Sequence, residues 1–98
     1  MKYQELQNKL HQSKSLLLVD VREPGEYTDG LTDDSFINIP LKELIDKSSE
    51  RNLPDDKEFI LVCKSGIRSQ RAAEALRANG YQAHSLEEGI NNLENRYE

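Results

Sequence analysis

Cys63 heads the run Cys63-Lys64-Ser65-Gly66-Ile67-Arg68-Ser69 and directly follows the apolar stretch Phe59-Ile60-Leu61-Val62. It is the one cysteine among 98 residues. A thiolate reacts where a thiol largely does not, and neighbouring cations and inward-turned backbone amides are the groups that favour the thiolate. Lys64 and Arg68 supply the cations. A loop between a strand and a helix supplies the amides, together with the positive end of the helix dipole. Gly66 can adopt the positive φ that a tight loop needs. The pattern predicts nucleophilic sulfur chemistry in an anion-binding cradle, with the Cys63 pKa below that of a free thiol. A lone cysteine is elsewhere often a small buried hydrophobe; the basic, glycine-containing loop sets this one apart.

Other candidate chemistry is weaker. His11 and His84 have no cysteine or carboxylate partners at metal-ligand spacing, so no metal is expected. Asp33-Asp34 and Asp55-Asp56 read as solvated turn residues without the ligand series of a calcium loop. A Cys63/His84 pair would give a general base, but the cradle already accounts for activation of the thiol.

The elements that must hold the loop follow from periodicity. Tyr3, Leu6 and Leu10 recur at helical spacing, which predicts an amphipathic helix from Lys2 to about Gln12. Leu16-Leu17-Leu18-Val19 and Phe59 to Val62 are short continuous apolar runs, as expected of strands covered on both faces. Glu23-Pro24-Gly25 after the first run marks a loop, and Phe36 to Pro40 is another short strand, closed by a proline that cannot donate to a ladder. Leu41 to Lys47 is a short helix. Ala72, Ala73 and Leu76 share one face of a helix from Ser69 to Asn79, stopped by Gly80. Tyr81 to Leu86 forms a last strand and Gly89 to Arg96 a closing helix. Alternating strands and helices predict one α/β domain over residues 1–98, with a central, mostly parallel sheet and helices on both faces. Ligands bind beyond the carboxyl ends of such strands. Asp20 and Cys63 both stand at such ends, so the Asp20/Arg22/Glu23 turn shares a rim with the thiol loop.

Composition bounds the function. Hydrophobic residues make up 36% and charged residues 32%, and no apolar run approaches a membrane span. The first residues lack the apolar core of a secretory signal, and a single cysteine cannot form an internal disulfide, so a cytoplasmic location is expected. The net charge of −5 argues against general nucleic-acid binding and against anionic membranes. Between Cys63 and Arg77, however, Lys64, Arg68, Arg71 and Arg77 face Glu74 alone, a local charge of +3 against −8 for the remainder.

Three stretches, in order, resemble the rhodanese-like sulfurtransferase family: Asp20-Val21-Arg22-Glu23-Pro24-Gly25-Glu26-Tyr27, Asn38-Ile39-Pro40 and Cys63-Lys64-Ser65-Gly66-Ile67-Arg68-Ser69, with Gly80-Tyr81 after the helix. The resemblance runs from about Leu16 to Leu93 and is nearest to single-domain members and to those fused to sulfur-activating enzymes. It implies a rhodanese fold and an enzyme in which Cys63 takes a sulfane sulfur from a donor as a persulfide and passes it to a thiophilic acceptor, without metal or organic cofactor. It also implies that the amides of Lys64, Ser65, Gly66, Ile67, Arg68 and Ser69 surround the terminal sulfur. The expected partners are small molecules such as thiosulfate, cyanide or a thiol, or a protein that gives or takes sulfur. Arg68 either holds an anionic donor or anchors the loop to the scaffold; Asp20 and Arg22 are implied to be rim or structural residues in an ion-pair network. A catalytically weak interaction or sulfur-relay module, docked through Arg71 and Arg77, is the alternative.

The spacing Cys-x4-Arg is one residue short of the Cys-x5-Arg cradle of phosphatases on the same fold, and Ser69 cannot supply a guanidinium fork, which disfavours phosphatase and arsenate reductase activity. Two departures bear on donor preference. The family's Gly-His-Ile-Pro-Gly-Ala is replaced by Gly30-Leu31-Thr32-Asp33-Asp34-Ser35-Phe36, and its Gly-Gly-x-x-x-Trp by Glu88-Gly89-Ile90-Asn91-Asn92-Leu93. Glu88 is expected to narrow the pocket or to repel anions there.

Overall fold

The structure is a computed structural model that describes residues 1–12, 15–27, 32 and 35–90. Its elements are α1 (Tyr3–His11), β1 (Leu16–Asp20), α2 (Pro24–Tyr27), β2 (Phe36–Asn38), α3 (Leu41–Ser49), β3 (Glu58–Val62), α4 (Ile67–Ala78) and β4 (Gln82–Ser85). The four strands form one sheet in the order β2-β1-β3-β4, with every pair parallel. Asp20 is in register with Val62, so the carboxyl ends of β1 and β3 lie side by side. β1 leads on to β2 and β3 to β4, on opposite sides, which makes this edge the switch point of the sheet.

Side chains alternate between two cores, as strand geometry requires. Val19, Phe59, Leu61, Cys63 and Ala83 pack with Leu44 of α3 and with Ala72, Ala73 and Leu76 of α4. Leu18, Phe36, Ile60 and Val62 pack on the other face with Leu6 of α1, Leu86 and Ile90. The sheet is therefore covered by helices on both faces. Gly80, at φ 91°, lets its own N–H reach the Arg77 carbonyl and that of Tyr81 reach the Leu76 carbonyl, the paired bonds that close a helix C-terminus.

Several boundaries move relative to the sequence reading, β2 ending at Asn38 and β4 running only from Gln82 to Ser85. α4 begins at Ile67 rather than Ser69, and α3 extends to Ser49. The Pro24-Gly25 stretch is not a plain loop but the start of a single helical turn. Pro24 sits at its first position, where a missing N–H costs nothing, and the Glu26 carboxylate accepts from the Glu23 N–H at 3.1 Å. The expected closing helix lies outside the described residues from Asn91 onward, as do Leu31, Asp33 and Asp34 of the Leu31 to Phe36 loop.

Candidate active site

β3 delivers Cys63 to the carboxyl edge of the sheet, and the chain turns back through Lys64, Ser65 and Gly66 into α4. Gly66 makes this turn possible: its φ is 97°, and a Cβ there would lie 2.6 Å from the Glu87 carbonyl oxygen. The strand-to-helix reversal aims donors at the sulfur. The Gly66 N–H donates to Cys63 Sγ at 3.0 Å and the Ser69 N–H at 3.4 Å, while Ser69 Oγ lies 3.5 Å from it. Cys63 is only 1% exposed. Burial opposes its ionisation and is the largest single effect. The hydrogen bonds from the Ser69 hydroxyl and from the Ser69, Gly66 and Ser65 amides together outweigh it, so the thiol pKa lies below its ordinary value.

A second segment braces this loop from behind. The Ile90 N–H donates to the Cys63 carbonyl at 2.9 Å, and Gly89, at φ 68°, presses against the Lys64 carbonyl where no Cβ could fit. Glu88, between the two contacts on Gly66 and Lys64, turns its carboxylate to the Tyr3 N–H at the start of α1, 2.7 Å away. That contact ties α1 to the segment bracing the thiol loop and directs one Glu88 oxygen to a helix N-terminus, where negative charge is favoured.

Arg68 meets Glu26 in a two-point ion pair, Nη1 to Oε1 at 2.7 Å and Nη2 to Oε2 at 2.9 Å. The Arg68 hydrogen bonds hold the Glu26 carboxyl down at about 2, and the pairing raises the Arg68 pKa. Glu26 thus does two things at once: it closes the first turn of α2 and it fixes the guanidinium at the end of the thiol loop. Asp20 and Arg22 are fully buried and locked to each other, with Arg22 Nε on both Asp20 oxygens at 3.0 and 3.1 Å and Nη2 on Oδ2 at 2.8 Å. Thr32 Oγ1 also donates to Asp20, and Asn38 Nδ2 donates to the carbonyls of Asp20 and Arg22. This network stiffens the turn after β1, next to the Cys63 strand end.

Lys64 and Ser65 of the loop and Arg71 of α4 are exposed, and Ile67 is 66% exposed despite being a large apolar residue. Arg77 is engaged elsewhere, donating to the Ala83 carbonyl at 3.0 Å and so covering part of the outer edge of β4. His84 pairs with Glu58 at 2.8 Å rather than with Cys63, and Lys9 holds the same Glu58 oxygen at 2.9 Å. Among the described residues no group of three or more His, Cys, Asp or Glu side chains is placed to hold a metal.

Sequence reasoning alone missed Glu26, Gly89 and Ser85. Glu26 carries a capping signal, Pro at the first and Glu at the third helical position, but nothing local ties it to Arg68. Ser85, whose hydroxyl lies 2.6 Å from that of Ser69, is signalled by nothing but its place at the end of a strand.

Comparison with known proteins is consistent across sequence and structure. The family model described as the rhodanese-like domain matches residues 2–96. A sulfurtransferase of Allochromatium vinosum is 32% identical, the match covering 80% of this chain and 70% of that protein. A rhodanese homologue of Thermus thermophilus superposes with a TM-score of 0.72 at 34% identity, covering 91% of this chain and 93% of its own. The human single-domain sulfurtransferase TSTD1 shares the fold, with a TM-score of 0.82 at 22% identity over 98% of this chain and 95% of its own.

Proposed function

Because the chain belongs to the rhodanese-like domain family, we propose that it is a sulfurtransferase carrying sulfane sulfur on Cys63. The likeness to named sulfurtransferases and the shared fold support a function of that type. The Cys63 thiolate attacks the outer sulfur of a donor. A sulfur–sulfur bond to Sγ forms as the donor's own bond breaks and its electron pair leaves with the remainder, sulfite when the donor is thiosulfate. A thiophilic acceptor such as cyanide or a thiolate then attacks the outer sulfur of the Cys63 persulfide, and Cys63 leaves as thiolate. Electrons and atoms balance in both steps, and neither calls for a metal or an organic cofactor.

The observation that carries this reading is the convergence of the Gly66 and Ser69 amides on Cys63 Sγ. The same cradle, with the remaining amides from Lys64 onward, favours negative charge on the sulfur beyond Sγ. Arg68 and Ser69, in the first turn of α4, act as anchor and donor respectively; Lys64, Ser65 and Ile67 form the open side. Asp20 and Arg22 act as scaffold. A reducing compartment such as the cytoplasm keeps the thiol available.

The open side suits a protein as well as a small molecule as sulfur partner. Cys63 is buried, and the exposed residues that follow it in the chain include Ile67 and the cations Lys64 and Arg71, neither of which is paired among the described residues. Ile67 and Arg71 are four apart on α4 and share a face. An acidic protein surface with an apolar residue beside its sulfur-bearing group complements this rim. Incubation with thiosulfate and cyanide, followed by measurement of thiocyanate, tests the proposed activity: turnover that disappears in Cys63→Ser supports it, and turnover that survives the substitution contradicts it.

A further inference from the structure

The hydroxyls of Ser69 and Ser85 lie 2.6 Å apart, and Ser69 Oγ is also 3.2 Å from the Gly66 carbonyl and 3.5 Å from Cys63 Sγ. Both serines are buried, Ser69 in the first turn of α4 and Ser85 at the end of β4. A hydroxyl has one proton to give. The Gly66 carbonyl and a Cys63 thiolate can only accept, so when either takes the Ser69 proton, the short contact between the serines requires the Ser85 proton. The reverse assignment, with Ser69 donating to Ser85, takes the Ser69 proton from both acceptors and leaves the Gly66 carbonyl to the Gln70 N–H and Cys63 Sγ to the Gly66 and Ser69 N–H groups. It also leaves the Ser85 proton without an acceptor among the described residues.

We propose that Ser85 is a positioning residue for the sulfur chemistry: its hydroxyl donates to Ser69 Oγ and so commits the Ser69 proton to Cys63 Sγ whenever that sulfur is anionic. The inference rests on Cys63 being the nucleophile. With the thiol protonated, S–H donates to Ser69 Oγ and the Ser69 proton rests on the Gly66 carbonyl. When the thiol proton leaves to solvent, the Ser69 hydroxyl turns to Sγ while Ser85 keeps donating. No proton passes between the serines. Hydrogen bonds in series polarise one another, so donation into Ser69 Oγ strengthens the bond that Ser69 gives to sulfur.

The test is titration of Cys63 by the ultraviolet absorbance of its thiolate, with the Cys63→Ser protein subtracted. Ser85→Ala should raise the midpoint by about half a pH unit, the scale of a modest hydrogen-bond loss. Ser85→Thr, which keeps the hydroxyl, should leave it in place. Ser85→Val matches threonine in shape and should shift it, which keeps the comparison available if alanine impairs folding. In a Ser69→Ala background, Ser85→Ala should add nothing, because its route to sulfur is gone. An unchanged midpoint in both Ser85→Ala and Ser85→Val, or an equal shift in the Ser69→Ala background, overturns the proposal. No sulfur donor is used, so this outcome is independent of whether the protein transfers sulfur.

Discussion

Glu26 grips Arg68 through both carboxylate oxygens, at 2.7 and 2.9 Å, across 42 residues of sequence. The pair fastens the one-turn helix after β1 to the end of the thiol loop and leaves the guanidinium of Arg68 compensated. Arg68→Ala therefore removes an anchor and strands a carboxylate near an anionic sulfur. It should lower kcat/KM for thiosulfate by about tenfold or more, the scale of a lost charge-assisted hydrogen bond. Glu26→Gln keeps the positive charge and should cost less. Steady-state kinetics of the two variants read the asymmetry.

The same pair has a pH signature. The Glu26 pKa falls from 4.5 to about 2 on folding, so its contribution is present above 4.5 and is lost as pH falls toward 2. Because both side chains are about a third exposed, solvent screening keeps that contribution small. The difference in melting temperature between the wild type and Glu26→Gln should be constant from neutral pH down to about 5 and should shrink below it. Thermal melts across that range check this.

Glu58 provides a second, independent acid response. Burial pushes its pKa up, but hydrogen bonds and charge from Lys9 and His84 more than offset this and lower it. A depressed folded pKa gives stability that holds above the ordinary carboxylate value and is lost on acidification through the lowered one. Glu58→Gln should flatten the acid limb of the stability profile while leaving Cys63 titration unchanged, as measured by chemical denaturation at stepped pH.

Gly89 cannot carry a side chain without moving the thiol loop, because its φ is positive and a Cβ would collide with the Lys64 carbonyl. Gly89→Ala should destabilise the protein by about 1–3 kcal/mol through backbone strain alone. It should also raise the Cys63 pKa, since displacement of Lys64 and Ser65 misaims the amides. A denaturant midpoint and a thiol titration on the same sample separate it from a loop substitution that only alters contacts with the partner.

The rim makes a prediction that separates docking from chemistry. Ile67→Ser and Arg71→Gln, which keep the loop amides and add no anion, should slow sulfur exchange with an acidic protein partner while leaving thiosulfate turnover within about threefold, as expected when rim groups rather than buried ones are changed. Arg77→Glu should instead lower stability, because Arg77 is spent on the Ala83 carbonyl. Side-by-side assays with thiosulfate and with a protein persulfide donor measure the split.

The elements and the candidate nucleophile were legible in the chain because both are written locally. Apolar runs of four residues gave β1 and β3, and the Ala72, Ala73 and Leu76 spacing gave α4. The order of motifs pointed to the family, and Cys63 stood out by its loop. What stayed hidden depends on the packing of segments far apart in sequence. Glu26 meets Arg68, Ser85 meets Ser69 and Gly89 meets Lys64 only once the parallel sheet has brought the carboxyl ends of its strands together. Arg77 is the converse case. Its charge marked it for docking, and the structure adds a second role, a hydrogen bond to the Ala83 carbonyl of β4, of which composition carries no sign.

The sulfur itself gives the most direct test. Intact-mass measurement of the protein after exposure to thiosulfate or to a low-molecular-weight persulfide, with peptide mapping, should show a gain of one sulfur atom on Cys63. Cyanide or a thiol should reverse it, and it should be absent in Cys63→Ser. A protein that stays at its starting mass with every donor, while its Cys63 titrates as a lowered-pKa thiol, would contradict the assignment of Cys63 as a sulfur carrier.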